Sequence, residues 1–285
     1  MPARRAATLL VDAAWLVRLP NCLAAAAATL LGAYLAGGAR SLGSGLVVRA
    51  SLVAACVHAA ANVFNDLMDV GVDRLNRPAR PLPSGRVSAG AAAVLGAAAG
   101  AAALALAATL GAALAGLAAV LAALAVAYSY RLKDSVLVGN ATVALLAAST
   151  IVYGALAAGG PTPAVAVASG LTFLYMLAFE VLKCIQDWEG DAAAGLRTVA
   201  GLGRRASLRL FRLIAAAFAV GAVAPWLLGL ASGRYLAAVV AGAIVPLAGV
   251  AALLGRHASE RSLHLSWGVA KAAWPFGLLA MALLR

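Results

Sequence analysis

Runs of about 20 apolar residues recur along the whole chain, and no fold in water can absorb them. A helix needs roughly 20 such residues to cross the hydrocarbon layer of a bilayer. By that criterion the sequence holds nine segments, near 20–38, 44–66, 88–108, 111–128, 137–158, 163–182, 207–230, 234–254 and 266–284. Only 11% of the residues are charged and the mean hydropathy is +0.96, whereas about a quarter of an ordinary globular domain is charged. The expectation is an all-α, polytopic membrane protein, a bundle of nine transmembrane helices. No linker or shift in composition marks a second domain, so residues 1–285 read as one unit.

The third and fourth segments are separated only by a short Gly/Ala stretch near Gly111, which leaves a choice between eight spans and nine. Charge decides it. With nine, one side collects Arg4, Arg5 and Arg18, Arg74 to Arg86, Arg131 and Lys133, Lys183, Arg197 to Arg212, Arg256 and Arg261. The other side keeps Arg40, Arg234 and Arg285, with Arg49 near its edge. Basic residues accumulate on the cytoplasmic side of short loops, so the N-terminus and the Arg-rich loops are expected in the cytoplasm of a cell-membrane protein. The same distribution accounts for the net charge of +12 without nucleic acid, for which no aromatic-interleaved basic motif is present.

Ala- and Gly-rich runs such as 91–108 and 111–127 suit helices packed closely in lipid. Cys22, Cys56 and Cys184 lie in or beside apolar segments and read as small core residues, not a disulfide framework or a zinc site. Arg4 and Arg5 precede an apolar run, but that run leads into further spans without a convincing cleavage site.

Against this background two acidic clusters stand out: Asn62-x-x-Asn65-Asp66-x-x-Asp69-x-x-x-Asp73 and Asp187-x-x-x-Asp191. They hold five of the ten acidic residues in the chain. Each follows an even-numbered span, the second and the sixth, so both fall on the same side. At roughly 100° per residue, Asn62, Asn65, Asp66, Asp69 and Asp73 share one helix face, as do Glu180, Lys183, Asp187 and Asp191. Carboxylates converging on one face repel unless a cation neutralises them. Hard oxygen ligands of this kind suit Mg²⁺ completed by substrate phosphates and water.

Between Asp73 and the third span runs Arg74-Leu-Asn-Arg-Pro-Ala-Arg-Pro-Leu-Pro-Ser-Gly-Arg86, where Pro78, Pro81 and Pro83 forbid a continuous helix. Its arginines offer forks matched to phosphate oxygens. A second basic hairpin, Tyr128-Ser-Tyr130-Arg131-Leu-Lys133-Asp134, follows the fourth span on the same side. Arg18 and Asn21 interrupt the first apolar run, either to reach a polar head group or, for the arginine, to snorkel to the interface. Of the histidines His58, His257 and His264, none presents itself as a base; His58 precedes Asn62 by one turn and reads as packing.

These motifs together resemble the UbiA-type intramembrane prenyltransferase superfamily over nearly the full length. The residues that carry the resemblance are Asn65-Asp66-x-x-Asp69-x-x-x-Asp73, Arg77-Pro-x-Arg-Pro-x-Pro-Ser-Gly-Arg86, Tyr128-Ser-Tyr-x-Leu-Lys133 and Asp187-x-x-Gly-Asp191. Gly139-Asn140 and 77–88 look most like its archaeal, digeranylgeranylglyceryl phosphate synthase branch. Cys184 departs from the pattern, standing where many relatives carry an aspartate after the lysine.

The resemblance implies nine helices around a central cavity open sideways to lipid. It implies Mg²⁺ held by Asn65, Asp66, Asp69 and Asp73 on one side and by Asp187 and Asp191 on the other, clamping a prenyl diphosphate. Arg77, Arg80, Lys133 and Lys183 would add positive charge, with Lys133 counted among the catalytic groups beside the five aspartates. Arg18, Asn21, Asn62, Tyr130 and Arg131 complete the expected substrate-binding set, and Tyr130, Tyr153 and Tyr175 are candidates to face an allylic cation. The expected reaction is transfer of a prenyl group, geranylgeranyl in the archaeal branch, to a lipophilic acceptor. Geranylgeranylglyceryl phosphate is the first choice, and an aromatic acceptor such as 4-hydroxybenzoate is the alternative. A cation transporter is the rival from another class, although the middles of spans three, four and eight offer it almost no polar group. Oligomeric state is not legible.

Overall fold

The computed structural model describes residues 2–193, 195, 197–254 and 259–285. Arg256 and His257 lie outside the described residues, as do the side chains of Arg4 and Arg5. Among the described residues the chain is helical throughout, and nine helices are long and apolar enough to span a membrane. It is a multi-pass membrane protein.

Ahead of the first span lies α1, Pro2–Leu16, followed by α2, Leu19–Gly37. The next spans are α3, Gly45–Met68, and, beyond a short α4, Val70–Asn76, the pair α5, Ala89–Ala108, and α6, Ala112–Tyr130. Then come α7, Val138–Leu156, and α8, Pro163–Gln186, with a short α9, Trp188–Ala193. The last three spans are α10, Arg204–Leu227, the pair α11, Gly233–Val239, and α12, Val245–Leu253, and finally α13, Glu260–Met281. A π turn at Val240–Ile244 joins α11 to α12 and precedes Pro246, which has no N–H to continue the ladder. Hydroxyl caps open several helices: Ser44, Ser88, Thr162 and Ser232 each accept from a backbone N–H two or three residues on.

Packing follows from small residues. α2 and α7 meet backbone to backbone, because a Cβ on Gly32 would lie 1.8 Å from the Ile151 carbonyl oxygen and one on Gly154 would lie 1.8 Å from that of Thr29. α3 packs on α2, α5 and α6, α7 bridges α2 to α8, and α8 carries α10 and α13 on its other flank. The largest apolar core sits along α8, where Tyr175, Leu182, Phe211 and Phe218 are buried. A small third core of Leu16, Val63, Leu82 and Ala92 closes under the loop that follows α4.

The hydropathy pattern gives no sign of the first helix. α1 is a separate helix whose Asp12 and Leu16 turn inward, while Leu9, Leu10, Val11 and Trp15 stay exposed. Its anchor is a salt bridge from Arg86 Nε to Asp12 Oδ1 at 3.0 Å. At 15 residues it is too short to span a bilayer.

Candidate active site

Both acidic clusters sit at joints between a long helix and a short one. α3 ends at Met68 and Asp69 turns with φ −98°, ψ 5° before α4. α8 ends at Gln186 and Asp187 turns with φ −86°, ψ 5° before α9. The expectation of one uninterrupted helix face for each cluster is therefore corrected. The hydrogen-bond ladder crosses both joints, from Asp73 N to Asp69 O at 2.7 Å and from Asp191 N to Asp187 O at 3.0 Å. Neither joint residue is itself helical, so the chain bends there, which re-aims Asp73 and Asp191 relative to the residues before each joint.

The two joints border one cleft, lined by Arg18, Asn65, Asp69, Asp73, Arg77, Arg80, Lys133, Lys183, Asp187 and Asp191 of the expected set. Cations from other segments reach Asp66, Asp69, Asp73 and Asp187. Arg18 Nη2 donates to Asp66 Oδ1 at 2.5 Å, and Arg80 Nη1 donates to the same oxygen at 3.2 Å and to Asp73 Oδ2 at 2.6 Å. Lys133 Nζ donates to Asp69 Oδ1, whose other oxygen accepts from Asn65 Nδ2 at 2.8 Å. Arg77 Nη2 crosses the cleft to Asp187 Oδ2 at 2.5 Å, with its Nη1 3.9 Å from Asp73. Lys183 Nζ is 3.6 Å from Glu180.

Asp191 has no cation within 4.0 Å among the described residues. Burial and the neighbouring Asp187 carboxylate push its pKa up to about 6. Burial also raises Asp73 above the usual carboxylate value, against the pull of Arg80.

The corner between α1 and α2 has its own construction. Arg18 takes a left-handed backbone, φ 51° and ψ 60°, a conformation that costs a non-glycine residue about 1–2 kcal/mol. Asn62 Nδ2 donates to Val17 O at 2.9 Å and Cys22 Sγ to the same carbonyl at 3.1 Å, pinning the corner that presents Arg18 to Asp66. The structure thus gives the Asn62 side chain to the backbone of that corner and not to the cleft.

Five more expected residues are placed elsewhere. Tyr130 is 63% exposed at the end of α6, and Arg131 stacks over its ring at 5.5 Å, so both turn away from the cleft. Asn21 is exposed on the first turn of α2, outside the cleft lining. Tyr175 is spent on packing, its hydroxyl bonded to Ala270 O at 2.7 Å and its ring against Phe218 and Trp274. Tyr153 is buried in the core between α2, α3 and α6.

The cleft also holds residues outside the expected set, notably Tyr128, Asn76, Glu180, Asn140, Cys184 and Thr198. Tyr128 and Tyr130 lie 200° apart on a helix, so only one can face inward. Tyr128 is that one, since it lines the cleft while Tyr130 is exposed. Cys184 Sγ accepts a hydrogen bond from Asn140 Nδ2 at 3.2 Å, so the thiol at the divergent position serves as an acceptor.

The donor set fits a hard divalent cation: five aspartate carboxylates and an asparagine amide, with thiol and imidazole groups outside it. Among the described residues no three acidic, His or Cys side chains form a ready cage. That suits a cation that keeps water and substrate oxygens in its shell.

The UbiA prenyltransferase family model matches residues 25–284. The chain belongs to the UbiA prenyltransferase family. It is a prenyltransferase, and the transporter reading falls. Among its relatives, the digeranylgeranylglyceryl phosphate synthase of Methanopyrus kandleri is 37% identical over 267 residues, covering 93% of this chain and 96% of that protein. The synthase of the same description from Halobacterium salinarum is 39% identical over 272 residues, with 93% and 96% covered. A solved digeranylgeranylglyceryl phosphate synthase superposes with a TM-score of 0.73 at 23% identity, over 96% of this chain and 97% of that one. A UbiA homolog from Archaeoglobus fulgidus, bound to GPP and Mg²⁺, superposes with a TM-score of 0.69 at 18% identity, over 95% and 99%. These two likenesses establish the UbiA fold.

Proposed function

We propose that this UbiA prenyltransferase transfers a geranylgeranyl group from its diphosphate to geranylgeranylglyceryl phosphate, acting as a single domain with its charged end in the cytoplasm. The acceptor rests on the similarity to the two archaeal synthases. The chemistry rests on one observation: Arg77 reaches from the first acidic arm to Asp187 of the second, at 2.5 Å. The two arms stand close enough to share one anion.

In this reading Asn65, Asp66, Asp69 and Asp73 hold Mg²⁺ on one side and Asp187 and Asp191 on the other. Bound there with the diphosphate, Mg²⁺ would supply Lewis-acid neutralisation of the leaving group. Arg77, Arg80 and Lys133 then leave their carboxylates for phosphate oxygens, since all three are charge-assisted donors already lining the cleft. Breaking the bond between C1 of the prenyl chain and the diphosphate oxygen leaves an allylic carbon with cationic character, and water is excluded by the bundle. The acceptor hydroxyl attacks C1, an ether C–O bond forms, and the hydroxyl proton passes to an oxygen of the departing diphosphate. His58 is bonded to Ala54 O and His264 to Gln186, and neither lines the cleft.

The test is direct. Purified protein with Mg²⁺ and geranylgeranyl diphosphate is given either geranylgeranylglyceryl phosphate or 4-hydroxybenzoate, and products are resolved by mass. Ether product with the first acceptor is expected; product with the aromatic acid alone would overturn the assignment.

A further inference from the structure

The seam between α13 and α8 runs from mid-bundle to the second acidic arm. Trp274 stacks 5.4 Å from Tyr175, Trp267 lies 6.0 Å from Phe179, and His264 Nδ1 is 2.6 Å from Nε2 of Gln186, the residue before Asp187. Lys271 sits between the two tryptophans, in the middle of the 25-residue span Glu260–Leu284. Its side chain is exposed, with Nζ 4.8 Å from the centroid of the Trp267 ring. All ten acidic residues are among those described, and none lies within 4.0 Å of Lys271. A cation at this depth in a span is expensive in lipid and marks a functional position by default.

The cations of the cleft are engaged otherwise: Arg18, Arg77, Arg80, Lys133 and Lys183 each face a carboxylate. Both substrates of the proposed reaction are anionic lipids. The acidic arms with their metal answer one anion, and the second needs a cation of its own, set back so that the two phosphate charges stay apart. Lys271 meets that requirement. It lies seven residues from His264, two turns on the same helix face, hence about 10 Å deeper along α13 than the Gln186 contact beside Asp187.

We propose that Lys271, braced on the Trp267 ring, is the docking point for the phosphate head of the lipid acceptor as it enters sideways from the bilayer. This inference rests on the proposed function for the acceptor's identity, but the docking of a phosphate monoester lipid stands on the geometry alone. The ammonium donates to phosphate oxygens while the indole face shields its apolar side. The head group is then held membrane-inward of the diphosphate, leaving the adjacent glycerol hydroxyl towards C1 of the donor.

The experiment compares wild type, Lys271→Gln and Lys271→Arg in phosphatidylcholine nanodiscs, with size-exclusion profiles to show that each variant is folded. With Lys271→Gln, KM for geranylgeranylglyceryl phosphate is expected to rise about tenfold, the loss of one charge-assisted bond, with Lys271→Arg close to wild type. A rise in KM for geranylgeranyl diphosphate instead would overturn the acceptor assignment and make the docked anion the donor. Unchanged KM values for both would reduce Lys271 to a snorkelling anchor and overturn the site. A second arm needs no turnover: native mass spectrometry counts phosphatidic acid retained from nanodiscs doped with it. Retention by wild type and loss in Lys271→Gln is expected, and equal retention overturns the site. Absence of any ether product from wild type would sink the transferase assignment while leaving this second arm to judge the docking.

Discussion

The α3–α4 and α8–α9 arms are built alike and charged differently. Each is a 24-residue helix opened by a hydroxyl cap, bent at an aspartate with ψ of 5°, and continued by a short helix carrying a second aspartate four residues on. In the first arm Arg18, Arg80 and Lys133, from three different segments, saturate Asp66, Asp69 and Asp73. In the second, Arg77 alone reaches Asp187, and Asp191 is left with a pKa raised to about 6. The shared backbone device places the carboxylates, while the unequal cations decide how readily each arm releases them. A divalent cation meets less competition at the second arm. At the first it must displace protein cations, which are then free to turn to the diphosphate.

The largest expected effect tests whether both arms are needed. Asp69→Ala and Asp187→Ala should each lower transfer by roughly a thousandfold, and a chelator should abolish wild-type turnover until Mg²⁺ is restored. Pyrophosphate release is the measurement, and full turnover in either variant would break the two-sided clamp. Next comes Arg77, which makes the one ion pair between the arms among the described residues. Arg77→Ala should raise KM for geranylgeranyl diphosphate about 10- to 100-fold, yet calorimetry without substrate should show Mg²⁺ binding more tightly than to wild type. Weaker Mg²⁺ binding would mean that Arg77 supports the second arm and does not compete for it.

A smaller effect, about tenfold in kcat/KM, is expected from Asn62→Asp. That change keeps the shape but removes the amide donor that pins Val17 O, so Arg18 loses its presentation to Asp66. Asn62→Gln, which keeps a donor, should recover part of it. The smallest concerns the tyrosine pair. Tyr130→Ala should leave kcat/KM within about twofold, since an exposed substitution of this kind costs little, and Tyr128→Ala should reduce it measurably more. Equal losses would place both rings in the cleft.

The nine spans were legible because length and hydropathy are set by the bilayer, whatever the tertiary packing. α1 was not, since 15 residues with Asp12 among them satisfy neither the length nor the composition of a span. The aspartates were legible as scarce charges in an apolar chain. Their bends were not, because a turn at Asp69 or Asp187 leaves the four-residue spacing to Asp73 or Asp191 in the sequence unchanged. The inward tyrosine was hidden for a related reason: residues 128 and 130 lie on opposite helix faces, and only the tertiary placement of α6 selects one. Asn62 was recognised by its pattern, but that its partner is the carbonyl of Val17, 45 residues earlier, is a tertiary fact.

The backbone contact between α2 and α7 sets which parts of the molecule can move. With Gly32 and Gly154 each against a carbonyl of the partner helix, no side-chain layer remains there to slip or repack. The pair behaves as a fixed jaw, so any movement that admits substrate or releases product falls to other parts of the bundle. A single methyl added at either glycine would act as a wedge at the pivot, felt at Arg18 one end of α2 away.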